Sequence, residues 1–168
     1  MNMKKLFFAL MMTIMSTMTL NAQNDLQDRL ELKKLVDTFS NLADVKDVDS
    51  QVLLFTPDAT VRSKGTDFVR TGRDQIGSAF ANYLALFDIV YHLNGQQTVE
   101  IDGDTAKGTA YCFVTLIGNG QMQQSGVRYQ DTYVKVEGKW YIKDRESDFM
   151  FTDFRPLGQP QMPQMNNQ

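Results

Sequence analysis

The chain has 168 residues, 22% of them charged, with one cysteine and a formal net charge of −3. This length supports one domain with one core, and the single cysteine, Cys112, excludes an internal disulfide framework and a cysteine-based zinc cluster. Mild acidity without clustered Lys and Arg argues against a nucleic-acid surface, so any chemistry has to come from individually placed residues.

Lys4 and Lys5 precede a stretch, Leu6 to Leu20, in which eleven of fifteen residues are apolar, and Ala22 then offers a small residue just before Gln23. The pattern is that of a secretory signal over residues 1–22: the apolar run is too short for a spanning helix and polar chain follows at once. The expected product is exported, periplasmic or secreted, with no stable membrane insertion once the signal is removed. At the other end, residues 156–168 hold three of the four prolines among Gln, Met, Asn and Gly. Such a segment buries too little to offset its ordering entropy and is expected to be a disordered tail. The folded domain is then 23–155.

Within it, Leu26, Leu30, Leu35, Val36, Phe39 and Leu42 recur at helical spacing, predicting an amphipathic helix that ends near Asp44. Asp47 or Asp49 can cap a second, short helix carrying Val52, Leu53 and Phe55. Ala59 to Arg62 and Phe68 to Arg70 suit a small hairpin. A third helix follows, with Ile76, Phe80, Tyr83, Leu84 and Phe87 on one face. Beyond Phe87 the texture changes to four long strands, 89–101, 105–117, 122–136 and 139–151. They are separated by Asp102-Gly103-Asp104, Asn119-Gly120 and Glu137-Gly138, turn signals that supply the positive φ of tight hairpins. Helices followed by a meander predict an α+β fold, a curved antiparallel sheet wrapped around three N-terminal helices. A cone of that kind has an internal pocket.

Several runs carry a resemblance. Asp44-x-x-Asp47 with Leu54-Phe55-Thr56-Pro57-Asp58-Ala59 resembles the opening of the SnoaL-like polyketide cyclase family, within the cone-shaped superfamily named after nuclear transport factor 2. His92-Leu93-Asn94, Val99-x-Ile101-x-Gly103-Asp104-x-Ala106, Tyr129-x-Asp131 and Gly138-Lys139-Trp140-x-Ile142 with Arg145 are also similar to it, in the same order. The resemblance implies that His92 faces the pocket and that an aspartate at the end of the first helix orients it. Asp44, eleven residues before Phe55, matches that aspartate. It also implies a homodimer through the open sheet face. The chain departs from the family's dehydratases in having no second histidine, and in having Phe39 where active members often carry a tyrosine. A single-base proton shift or an aldol-type ring closure remains compatible with this pattern.

His92 is the only histidine, and the one side chain here whose ordinary pKa allows proton exchange near neutrality. Two readings stand for it: base of an Asp44–His92 dyad, or a structural histidine held by a backbone carbonyl. Phe39, Phe80, Tyr83, Tyr111, Phe113 and Tyr129 are the expected aromatic lining, with Asn94 as a further polar point. Asp131 with Arg145 reads as a cross-strand ion pair, Trp140 and Ile142 as core, and Cys112 as a packed, inert thiol. No phosphate-cradling glycine loop, nucleophile elbow or basic clamp is visible. The expected ligand is a small hydrophobic or aromatic molecule, bound without cofactor or metal. It is either turned over by a lyase or isomerase acting on a carbonyl-bearing compound, or simply held by a ligand-binding or partner-docking domain.

Overall fold

The computed structural model describes residues 3–158, with side chains from Gln23 onward. The side chains of residues 1–22, on which the signal reading rests, and the part of the expected tail beyond residue 158 lie outside the described residues.

Helix α1 (Met3–Asp44) buries Leu32, Leu35, Val36, Phe39 and Ala43 along one stripe. That stripe runs on through Asp28 and leaves Leu26 and Leu30, expected on it, more than half exposed. Asp28 tolerates burial because its carboxylate accepts from Trp140 Nε1 at 2.9 Å and from Lys135 Nζ at 2.5 Å. Lys46, at φ 58°, turns the chain out of α1, and Asp47 caps α2 (Val48–Val52) by accepting the Ser50 N–H at 3.1 Å. Phe55 was expected on this helix but instead opens strand β1 (Phe55–Ser63). The Leu54 carbonyl accepts the Ile142 N–H at 2.9 Å, so sheet pairing captures the chain as soon as α2 ends.

Strand β1 makes the small hairpin with β2 (Val69–Thr71), and Gly72 (φ 80°) leads into α3 (Arg73–Leu84). The meander follows as β3 (Ile89–Asp102), β4 (Thr105–Gly118), β5 (Gln121–Val136) and β6 (Lys139–Pro156), the last running five residues past the expected end. Gly103, Asn119, Gly120, Glu137 and Gly138 all have positive φ, as the hairpin turns demand. The strands form one six-stranded sheet in the order β2-β1-β6-β5-β4-β3, antiparallel except where β1 lies parallel to β6. Bulges between Asn94 and Gln97, Gly126 and Val127, and Thr132 and Tyr133 bend the long strands, and α1 lies against β3.

Gly118 marks the place where the connection after α3 crosses the end of β4. A Cβ there would sit 2.5 Å from the Leu86 carbonyl oxygen and 3.0 Å from Phe87 Cα, both backbone, with no flexible side chain to give way. Gly118→Ala is therefore expected to cost roughly 1–3 kcal/mol in urea denaturation, the usual range for overpacking. The outer face of the sheet leaves Tyr91, Leu93, Phe113 and Phe151 exposed. Among the described residues no helix is long and apolar enough to cross a membrane.

Candidate active site

The concave side of the sheet and the three helices enclose a cavity of about 470 Å³ with a mostly apolar wall. Phe39 from α1, Phe80 and Tyr83 from α3 and Tyr129 from β5 line it. Phe39 packs edge-on against Phe55, Phe80 and Tyr129 with ring centroids 5.9–6.2 Å apart. Tyr83 stands 42% exposed, its hydroxyl accepting from Gln123 Nε2 at 3.3 Å.

His92 lines the same cavity from β3. Its Nδ1 lies 2.6 Å from Asp44 Oδ1, at the last residue of α1. The carboxylate accepts the Nδ1 proton, which leaves Nε2 as the ring's free lone pair, and among the described residues no protein group engages it. Burial pushes the imidazole below its ordinary pKa; the Asp44 carboxylate opposes that shift and the Arg145 charge adds to it. The ring is thus neutral at pH 7, the form that can take a proton.

Three of the expected lining residues lie elsewhere. Asn94 is on the inward face but is used up by α1: its Nδ2 donates to Asp37 Oδ1 at 3.0 Å, and its Oδ1 accepts from Ser40 Oγ at 2.9 Å. Tyr111 and Phe113 are absent from the cavity wall because of strand parity. Residues directly opposite in an antiparallel ladder share a face, and β3 sets His92 opposite Val114 and Leu93 opposite Phe113. Placing His92 inside therefore places Phe113 outside, where its ring lies 6.5 Å from that of Phe151. Cys112 takes the inward side instead, with burial pushing its thiol up to about 12, so it is unreactive at neutral pH.

Arg145 is the residue the sequence reading undervalued. Its Nε and Nη2 donate to the two Asp131 carboxylate oxygens at 2.8 and 2.6 Å, and both side chains are fully buried. Tyr133 Oη donates to Asp131 at 2.8 Å. The guanidinium carbon lies 4.2 Å from the Phe39 ring centroid and 4.4 Å from that of Tyr129, a cation set in the corner where these two rings meet edge to face. Burial alone would lower its pKa, but the Asp131 carboxylate outweighs that and holds it above the ordinary value. Arg145 also lines the cavity, and its Nη1 has no hydrogen-bond partner. The expected cross-strand pair of Asp131 with Arg145 is present, and its cation also forms part of the cavity wall.

Gln51 of α2, which the sequence reading passed over, is 1% exposed and also lines the cavity. Its Nε2 donates to the Phe39 carbonyl at 3.1 Å, and its Oε1 is unpartnered. Among the described residues no group of three or more His, Cys, Asp or Glu side chains could hold a metal ion.

Comparison with known proteins agrees with this architecture. The uncharacterized protein Rv2910c of Mycobacterium tuberculosis is 29% identical over 121 residues, which cover 70% of this chain and 82% of that protein. A Novosphingobium aromaticivorans protein provisionally named a scytalone dehydratase superposes with a TM-score of 0.74 at 21% identity, covering 82% of this chain and 98% of its own. A type 2 hexachlorocyclohexane dehydrochlorinase (LinA) superposes with a TM-score of 0.71 at 17% identity, covering 84% and 99%. At such identities these two structures show the shared fold alone. Residues 24–146 match the family described as the SnoaL-like domain, and the chain belongs to that family.

Proposed function

We propose that this SnoaL-like domain is a cofactor-independent lyase or isomerase acting on a small carbonyl-bearing compound in an exported protein, with His92 as the base. The observation that carries the reading is the 2.6 Å contact between His92 Nδ1 and Asp44 Oδ1, on a ring that lines the cavity. Nε2 takes a proton from the carbon next to the carbonyl. The C–H electron pair becomes the C=C of an enolate and the carbonyl pair moves onto oxygen, in a cavity whose wall includes the buried Arg145 guanidinium. Return of the proton from Nε2 to a different carbon is isomerisation; expulsion of a leaving group from the β carbon is elimination. The dehydratase and the dehydrochlorinase among the structural relatives carry the names of eliminations, which supports the same chemical class here.

The test is deuterium incorporation next to the carbonyl of cyclohexanone and 1-indanone in D₂O, followed by NMR. Incorporation above the buffer blank is expected, with an acid limb below pH 6.5 because His92 is held below its ordinary pKa. The same shift enters stability. Between the folded pKa and 6.5 the unfolded chain binds the proton that the folded chain does not. His92's contribution is therefore complete above about 6.5 and is lost as pH falls through the folded value. Incorporation no faster than buffer at any pH overturns the proposal.

A further inference from the structure

Strand β6 outruns its neighbour on one side. Its last partner in β1 is Ser63, opposite Ser147, and the Lys64 N–H donates to the Ser147 carbonyl at 2.9 Å. From there to Pro156 it pairs with β5 alone among the described residues, so its other edge is open. Every residue from Phe149 to Leu157 is exposed, with Phe151 at 53% and Phe154 at 67%. The stretch has no lysine, and its one proline, Pro156, stands at its end, so little guards the edge against another strand. The Leu157 N–H donates to the Gly120 carbonyl at 2.8 Å. By alternation along this ladder Phe151, Asp153 and Arg155 also bond toward β5, and Thr152 and Phe154 turn their N–H and C=O groups to the open side.

We propose that this edge pairs with the same edge of a second copy of the chain, in an antiparallel ladder centred on Phe154. A two-fold ladder must set one residue opposite itself, because hydrogen-bonded and non-hydrogen-bonded pairs alternate and symmetry cannot turn one kind into the other. A centre at Asp153 or Arg155 sets like charges together. A centre at Thr152 or Phe151 puts Asp153 opposite a phenyl ring, that of Phe151 or Phe149. Only the centre at Phe154 sets Asp153 opposite Arg155 of the second copy, once on each side of the axis, and Phe151 opposite Leu157. The two Phe154 residues then exchange N–H···O bonds. Each Thr152 N–H meets the Pro156 carbonyl of the second copy, an acceptor whose own residue has no N–H to leave unpaired. Asp153 and Arg155 lie 3.2 Å apart within one chain and are each 57% exposed, free to serve the other copy as well. The charge pattern thus selects the occupant and the register together. This edge pairing is distinct from the packing of open sheet faces that the resemblance implied, and it depends neither on the cavity nor on His92.

Sedimentation velocity of the purified protein across about 5–500 µM reads the pairing, which lies at the small end of specific interfaces. A mass of two chains is expected at the upper concentrations. Asp153→Arg and Arg155→Asp each turn the ion pairs of the ladder into like-charge contacts, and each alone is expected to weaken the dimer roughly 10–100-fold. Mixed together they are expected to restore it, since every charge of one variant then meets its opposite on the other. Phe154→Pro removes an N–H that no strand of its own chain accepts, so it leaves the circular dichroism unchanged and abolishes the dimer. Should that variant not fold, the charge variants, both at exposed positions, still decide the matter. Leu93→Asp, on the outer face of the sheet, leaves the edge dimer intact. A monomer throughout the range overturns the proposal. So does a dimer that Leu93→Asp dissolves, or one in which each charge variant pairs with itself as well as the two pair with each other.

Discussion

His92→Gln is expected to lower deuterium exchange into cyclohexanone by about 10²–10⁴-fold, the contribution of a positioned general base. The glutamine keeps a polar group near Asp44 and a similar volume, so the fold survives and the loss reads chemistry. Asp44 acts through the ring rather than on the ligand, and its variant has a distinct signature. In Asp44→Asn the new amide can donate to Nδ1, which drives the ring proton onto Nε2 and so occupies the lone pair facing the cavity. Exchange should fall toward the level of His92→Gln, and the double variant should be no worse than His92→Gln alone, since the two residues work as one unit. Whatever activity Asp44→Asn retains should have its acid limb at lower pH, because the carboxylate is what holds the imidazole pKa up against burial. An unchanged exchange rate in His92→Gln would remove the base from the mechanism.

Arg145→Met is expected to be the most destabilising single change, at roughly 3–5 kcal/mol and a fall in Tm of about 10–20 °C. The cost comes less from the lost attraction than from what stays behind: Asp131, fully buried, would lose both guanidinium hydrogen bonds and keep only the one from the Tyr133 hydroxyl. Asp131→Leu strands the arginine in the same way. The combined Arg145→Met, Asp131→Leu variant should therefore lose distinctly less than the sum of the two singles, and thermal and urea denaturation of all three proteins decides it. Strict additivity would mean that the buried pair is not a unit and that the two aromatic rings alone support the guanidinium.

The fold was legible where one residue type settles one local geometry. Gly103, Asn119-Gly120 and Glu137-Gly138 marked the turns because positive φ is hard to supply otherwise, and three such turns leave little choice but a meander. The Asp44–His92 pairing was readable only through the resemblance: the sequence places one residue at a helix end and the other on a strand face, and their separation of 48 positions says nothing of distance. Parity defeated the reading of Tyr111 and Phe113. Alternation shows which residues of a strand go together, but only the register with its neighbour shows which set faces in. Gln51 failed for another reason. A polar residue in a five-residue helix reads as solvated surface, and nothing local shows that the Phe39 carbonyl waits beneath it.

The parallel ladder between β1 and β6 has a consequence for how the chain is made. Thr60 lies beside Asp144, and Ser63 beside Ser147, so the strand that begins the sheet finds its permanent neighbour only when the strand that ends it has emerged from the ribosome. β6 also carries Arg145, whose guanidinium packs on the aromatic rings of α1 and β5. Up to that moment β1 has only the short β2 to pair with, while α1 can already lie against β3. A chain interrupted after β5 would lack both a wall of the cavity and the central strand joining the two parts of the sheet. Closure is thus deferred to the last part of translation, and the one distant pairing, β1 with β6, carries a loop-closure entropy that the consecutive hairpins of the meander do not.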